Sequence, residues 1–240
     1  MRKILCVLAV LIGAAPQVGA QTAPIDRIAL KLMAECKAAS GGAALDAPVA
    51  FHETGTILCD GKSGAYEMYG DLHTLRTAGI HTLDGKIGGG GYDGISAWHV
   101  GSDGKVVVST SPAELADQKM SAYMTVGGYF YPTRFPAKFA YLGRKSAGAK
   151  SFDVVEVTPE GASSADLWLD TATHRMARFT AAPGAEKAYT EILEYRVVAG
   201  TWIGFKNRQI EGPHKMVQTL ATYDYVPLDP ARFSPANFGR

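Results

Sequence analysis

Residues 51–71 read FHETGTILCDGKSGAYEMYGD, and everything else in the chain is interpreted outward from them. Phe51, Glu53, Gly55, Ile57 and Cys59 alternate with His52, Thr54, Thr56 and Leu58. A period of two sends successive side chains to opposite faces of an extended chain, which is the pattern of a β-strand. Asp60-Gly61 follows as a turn pair, and Ala65–Asp71 reads as the returning strand of a hairpin.

The same pattern recurs on both sides. Towards the middle of the chain it predicts strands over Thr74–Thr82, Ile95–Val100 and Lys105–Ser109. After residue 138 it predicts Phe139–Arg144, Phe152–Thr158, Ala165–Leu169, Met176–Ala181, Ala188–Val197, Trp202–Ile210 and Lys215–Val226. Gly148, Pro159–Gly161, Asp170–His174, Pro183-Gly184, Ala199-Gly200 and Gly212-Pro213 separate them. Breaks every ~8–14 residues mark an all-β sandwich or barrel-like fold. Composition does not change along the way, so residues 21–240 are assigned to one domain.

Two stretches carry helical spacing instead. Ile25, Ile28, Ala29, Leu32 and Cys36 share one face over Ile25–Ala39. Pro24 and Asp26 suit its start, and Gly41-Gly42 suits its end. A second helix is predicted over Ser111–Val126. Ser111 can cap it, Pro112 fits the first turn, and Glu114 completes a Ser-x-x-Glu capping box. Leu115, Ala116, Met120, Tyr123 and Met124 fall mainly on one side, and Gly127-Gly128 stops it.

The N-terminus has the order of a secretory signal peptide. Arg2 and Lys3 precede an apolar run from Ile4 to Ala15, and Val18 and Ala20 stand before Gln21. Cleavage is expected after Ala20. The apolar run is shorter than the ~20 residues of a spanning helix. Of 24 Lys and Arg, loss of Arg2 and Lys3 leaves 22 against 23 Asp and Glu. Near neutrality disfavours nucleic acid as a partner. The mature chain is expected to be periplasmic, not acylated, without an integral membrane segment, and monomeric. An oxidising compartment permits a bridge between Cys36 and Cys59, while a buried thiol is equally ordinary at Cys36.

Several fragments suggest chemistry and do not complete it. His52-Glu53 lacks the second His of a zinc-protease helix, and on a strand the pair points to opposite faces. Gly88–Gly91 is followed by strand-like Ile95–Val100 instead of the helix start that a phosphate loop needs, so a bulge or sharp bend is expected there. Asp170-Thr171-Ala172 resembles an aspartic-protease triplet but has no second copy, and Asp170 reads as a turn residue. No catalytic residue, metal site or cofactor is expected. What stands out is bulky apolar material around the second helix: Met120, Tyr123, Met124, Tyr129, Phe130, Tyr131, Phe135 and Phe139. It fits either ordinary core or the lining of an apolar pocket.

Taken together, the order of elements resembles the lipoprotein carriers LolA and LolB. More closely, it resembles the domain that precedes the protease part in some bacterial retropepsin-like proteins. The resemblance rests on His52–Thr56, Gly91–Gly94 through Trp98, Arg134–Ala137, Phe152–Pro159, Leu167–Asp170 with Thr173, and Leu228–Phe233. It implies a strongly curved antiparallel sheet, a half-open barrel, with an N-terminal helix and an inserted helix covering the concave face. It also implies a periplasmic carrier whose partner is a hydrophobic ligand, an acyl chain or a lipoprotein. Two departures limit it: the protease part and the lipid-bearing cysteine of LolB are absent, and no family site residue maps onto a position here. The residues themselves nominate Met120, Tyr123 and Met124 as ligand-binding, with Trp98, Phe139 and Leu32 beside them. The alternative is a non-catalytic interaction domain of the cell envelope whose apolar centre is only core.

Overall fold

The computed structural model describes residues 26–101, 103–109, 111–180 and 188–237. The expected signal peptide, with its cleavage point, lies outside the described residues. The described chain forms a single antiparallel sheet of 13 strands with two α-helices.

Helix α1 (Arg27–Ser40) comes first, followed by β1 (Ala50–Cys59), β2 (Lys62–Asp71), β3 (Thr77–Leu83), β4 (Lys86–Tyr92), β5 (Ala97–Val100) and β6 (Val106–Ser109). Helix α2 (Pro112–Thr125) interrupts the meander. Then come β7 (Ala137–Ala147), β8 (Lys150–Pro159), β9 (Ala165–Asp170), β10 (Met176–Thr180), β11 (Ala188–Val198), β12 (Thr201–Glu211) and β13 (His214–Val226). The spatial order is β6-β5-β4-β3-β2-β1-β13-β12-β11-β10-β9-β8-β7. Each strand therefore lies beside its sequence neighbour, with one long-range seam where β1 pairs with β13 from Ala50↔Val226 to Cys59↔Met216. Strands β6 and β7 are the two free edges, and the chain linking them, with α2, passes from one edge to the other.

Amphipathicity explains where the helices lie. Helix α1 buries Ala29, Met33, Cys36 and Ser40, and α2 buries Met120, Ala122 and Tyr123. Apart from Ser40, these residues join Val155, Val157, Leu167, Leu169 and Met176 of β8–β10, and Tyr92 and Ala97 from the other flank, in the main core. A sheet with one apolar face must cover it, and two amphipathic helices do so here. Helix α1 packs on β7 and β12, and α2 on β4 and β5. No described helix is long and apolar enough to cross a membrane.

Local chemistry sharpens or departs from the sequence expectations at four places. Asp26 is the N-cap of α1: its Oδ1 accepts from the amides of Ile28 and Ala29, and its Oδ2 accepts from the Tyr141 amide of β7 at 2.6 Å. One carboxylate thus starts the helix and anchors it to the sheet edge. Ser111 is extended at the start of α2 but makes no side-chain cap, and the Glu114 carboxylate accepts from the Ser109 hydroxyl instead of closing the capping box. Cys36 and Cys59 are both buried and are not bridged; burial pushes the Cys36 thiol up to about 11, which keeps it protonated.

The glycine run is the fourth difference. Gly88–Gly91 is no bulge. It pairs without interruption along β3, from His81↔Gly88 to Ala78↔Gly91. A Cβ on Gly88 would lie 2.5 Å from the His81 ring, and one on Gly91 would lie 2.4 Å from the Trp98 ring. The glycines therefore leave room for one large ring on each face of the strand. Asp170, by contrast, is the turn residue that its sequence predicts: its Oδ1 accepts from the amides of Ala172 and Thr173.

Candidate functional site

A cavity of about 290 Å³ opens between the helices and the sheet. Its roof is Met120, Ser121, Met124 and Thr125 of α2, with Tyr129–Tyr131 just beyond the helix. Its sheet wall alternates by strand geometry. From β1 come Phe51 and Glu53, from β2 Met68, and from β13 Met216, Gln218, Tyr223 and Tyr225. Further along, β12 adds Ile203, Asn207 and Gln209, and β11 adds Thr190, Ile192 and Tyr195. The i, i+2 spacing of these residues puts them on one face, which is why Phe51 and Glu53 enter while His52 points away.

Register sets the middle of this wall. Glu53 stands opposite Met68 on β2 and opposite Tyr223 on β13, the central strand of the 13. Gly55 is opposite Tyr66, and its missing side chain matters: a Cβ there would come within 2.5 Å of the Tyr66 ring and 2.4 Å of the Thr219 carbonyl. The ring of Tyr66 lies across that gap and carries its hydroxyl beside Glu53 and Gln218.

The wall is apolar with one ionisable carboxyl. Glu53 is half-buried, but the surface it keeps opens into the cavity. Burial pushes its carboxyl up to about 7, and the nearby Tyr66 hydroxyl pulls only partly the other way. Burial likewise raises Tyr66, Tyr129 and Tyr223, so these phenols stay protonated. Most tyrosine hydroxyls around the cavity are paired: Tyr225 with Thr201 at 2.7 Å, and Tyr131 donating to the Leu45 carbonyl at 2.6 Å. The Tyr66 hydroxyl lies against Glu53 and Gln218 from outside the lining, and Asn207 Oδ1 is buried without a hydrogen-bond partner.

The nominated residues divide. Met120 and Met124 line the cavity, four residues apart on one side of α2. Tyr123 is fully buried in the core between α2 and the sheet, outside the cavity wall. Leu32 and Phe139 pack against that core and do not line the cavity. The Trp98 ring packs with Ala78 and Phe233 in a separate cluster, while Ala97, its neighbour on β5, joins the core under the helices. Alternation along β5 thus turns Trp98 to the opposite face, where the C-terminal turn Pro230–Phe233 covers it. Sequence reasoning misses the whole sheet wall, above all Glu53 and Asn207. The signal exists in the strand alternation around Phe51 and Glu53, but it does not say which strands face one another.

Comparison with known proteins supports the architecture. No protein-family model matches the chain, and no curated protein matches it in sequence. Among solved structures it is similar to a putative outer membrane lipoprotein-sorting protein domain from Vibrio parahaemolyticus, with a TM-score of 0.58 at 13% identity over 87% of this chain and 97% of that one. It is similar to a LolA superfamily protein from Nitrosomonas europaea, with a TM-score of 0.56 at 10% identity over 86% and 97%. A DUF1329 family protein from Desulfovibrio piger gives 0.54 at 14% identity over 86% and 97%. The shared property is the fold, a LolA-like curved sheet that is not closed into a barrel.

Proposed function

We propose that the protein is a periplasmic binding or carrier protein for a lipid-like, largely apolar ligand, held between α2 and the sheet. The observation that carries this reading is the cavity itself: its roof and most of its wall are Met, Ile, Phe and Tyr side chains. Its volume of about 290 Å³ stands at the small end of ligand sites, which run from about 300 to 1,000 Å³. Each methylene moved from water into it contributes about 0.8 kcal/mol, so one acyl chain gains enough to offset its ordering cost. The Vibrio and Nitrosomonas structures support the reading through the shared fold. Export through the N-terminal signal, and the finer kinship with the domain that precedes retropepsin-like parts, belong to the same reading and rest on the sequence stretches that suggested them.

The test uses N-phenyl-1-naphthylamine, an uncharged apolar dye that brightens when it leaves water. The wild-type protein is expected to bind it. Met124→Lys places an ammonium in the roof and is expected to weaken binding at least tenfold, while the thermal midpoint falls by only a few degrees. No dye binding by the wild type would overturn the carrier reading. Loss of binding and of folding together in Met124→Lys would make the roof ordinary core.

A further inference from the structure

The carrier reading leaves one group unexplained. An acyl-chain cavity needs no carboxyl, yet Glu53 stands in the middle of its sheet wall. Two strands away Asn207 Oδ1 is buried without a partner, and the Asn207 amide donates only a long 3.4 Å bond to the Gly204 carbonyl. Gln218 faces Ile57 on β1 and Asn207 on β12, and so closes the group between them. A buried polar atom left unpaired costs free energy, and one in a cavity wall is a place where a ligand can supply the missing bond.

The charges around the cavity decide what kind of head fits. Among the described residues, Glu53 is the one charged residue in the lining. The other titratable groups that line it are Tyr223 and Tyr225 from β13, Tyr195 from β11, and Tyr129 and Tyr131 beyond α2, all phenols raised by burial; Tyr66 of β2 stands behind Glu53, outside the lining. His81 of β3 stands opposite Tyr66 on the same face. Cations lie at the rim, behind aromatic rings: Arg175 over Trp202 at 4.1 Å, and Lys37 and Arg134 over Tyr131 at 4.4 and 4.7 Å. None of the three lines the cavity. An anionic head inside would meet a carboxylate and no counter-charge.

We propose that Glu53, Asn207 and Gln218 form a polar subsite in the cavity wall that takes the hydroxyl-bearing, uncharged head of a single-chain amphiphile and rejects anionic heads. The head's hydroxyls donate to Glu53 and to Asn207 Oδ1, so the orphaned amide oxygen finds a partner. A carboxylate or phosphate can donate nothing to the acceptors and is repelled by Glu53. The inference rests on the carrier reading and adds the head group that the cavity selects.

Displacement of N-phenyl-1-naphthylamine at pH 8.5 by monomyristoylglycerol and by myristate tests it, since the two share one chain and differ in the head. The glycerol ester is expected to displace the dye at a concentration at least tenfold below that of myristate. In Glu53→Gln this ratio should shrink to threefold or less, with each competitor referred to the dye affinity measured in the same variant. Asn207→Ala should weaken the glycerol ester several-fold more than it weakens myristate, each again referred to the variant's own dye affinity. Equal competition by the two in the wild type, as rim cations holding a carboxylate would give, overturns the subsite. So does a ratio that Glu53→Gln leaves unchanged. Failure of the dye to bind the wild type at all is a different result: it removes the cavity as a ligand site, and the subsite with it.

Discussion

Strands β8 and β9 and strands β11–β13 belong to one sheet and have similar sequence patterns, yet they meet the helices differently. On β8 and β9, Val154 and Trp168 are buried on one face and Val155, Val157 and Leu167 on the other. On β11–β13 few side chains are fully buried, and the cavity wall mixes Ile192, Ile203, Met216 and Tyr223 with the polar Thr190, Asn207, Gln209 and Gln218. Side chains of α1 and α2 share the main core with those of β8 and β9, whereas much of the inward face of β11–β13 borders the cavity. Long polar side chains in the β11–β13 wall match the difference, because a packed interior excludes unpaired amides and carboxyls and a cavity tolerates them.

The largest expected effect breaks the packed side. Leu167→Ala should cost about 3 kcal/mol in urea-induced unfolding, because the lost side chain leaves a void where neighbours cannot collapse. The equivalent truncation in the cavity wall, Ile192→Ala, should cost less than about 1 kcal/mol, since that side chain is only partly packed. Similar losses at the two positions would abolish the distinction.

Glu53 sharpens the comparison through pH. Its carboxyl stands at about 7 in the folded protein against an ordinary 4.5, so the folded state holds the proton more tightly than the unfolded chain. The stability tied to this group is full below about 4.5, declines as pH rises towards 7, and stays low above it. Glu53→Gln removes the ionisation. It should raise stability by about 2 kcal/mol at pH 8.5 and change little at pH 4, as chemical denaturation at the two pH values would show. A gain at pH 4 as large as that at pH 8.5 would mean the carboxyl is not desolvated.

The smallest effect lies away from both regions. Asp170→Asn keeps a side-chain oxygen for the amides of Ala172 and Thr173, and should shift unfolding by no more than about 0.5 kcal/mol. A much larger loss would give this exposed turn a role that its geometry does not show.

Much of the fold is legible in the sequence because local periodicity carries it. The alternation Phe51 to Cys59 and the helical faces around Ala29 and Met120 place those elements within a few residues of where they stand. Gly88–Gly91 misleads because the need for glycine comes from His81 and Trp98, which reach it from neighbouring strands. The site is half legible. Met120 and Met124 follow from helix spacing, but Glu53 and Asn207 meet only through the pairing of β1, β13 and β12, a register that joins residues more than 100 positions apart. Trp98 draws attention by its size, and size says nothing about which face of β5 it takes.

The seam between β1 and β13 bears on how the protein matures. Strands β1–β6 can zip as one local meander and β7–β13 as another, each fast to form because its pairings are short-range. Joining Ala50 to Val226 closes a loop of nearly the whole domain, a slow event that waits for the last strand to be delivered. Glu53 and Tyr66 sit on the first meander, and Asn207, Gln218 and Tyr223 on the second. The polar subsite and the wall around it therefore come into being only at that final closure, and a chain emerging strand by strand has no pocket in which to trap a lipid before its architecture is complete.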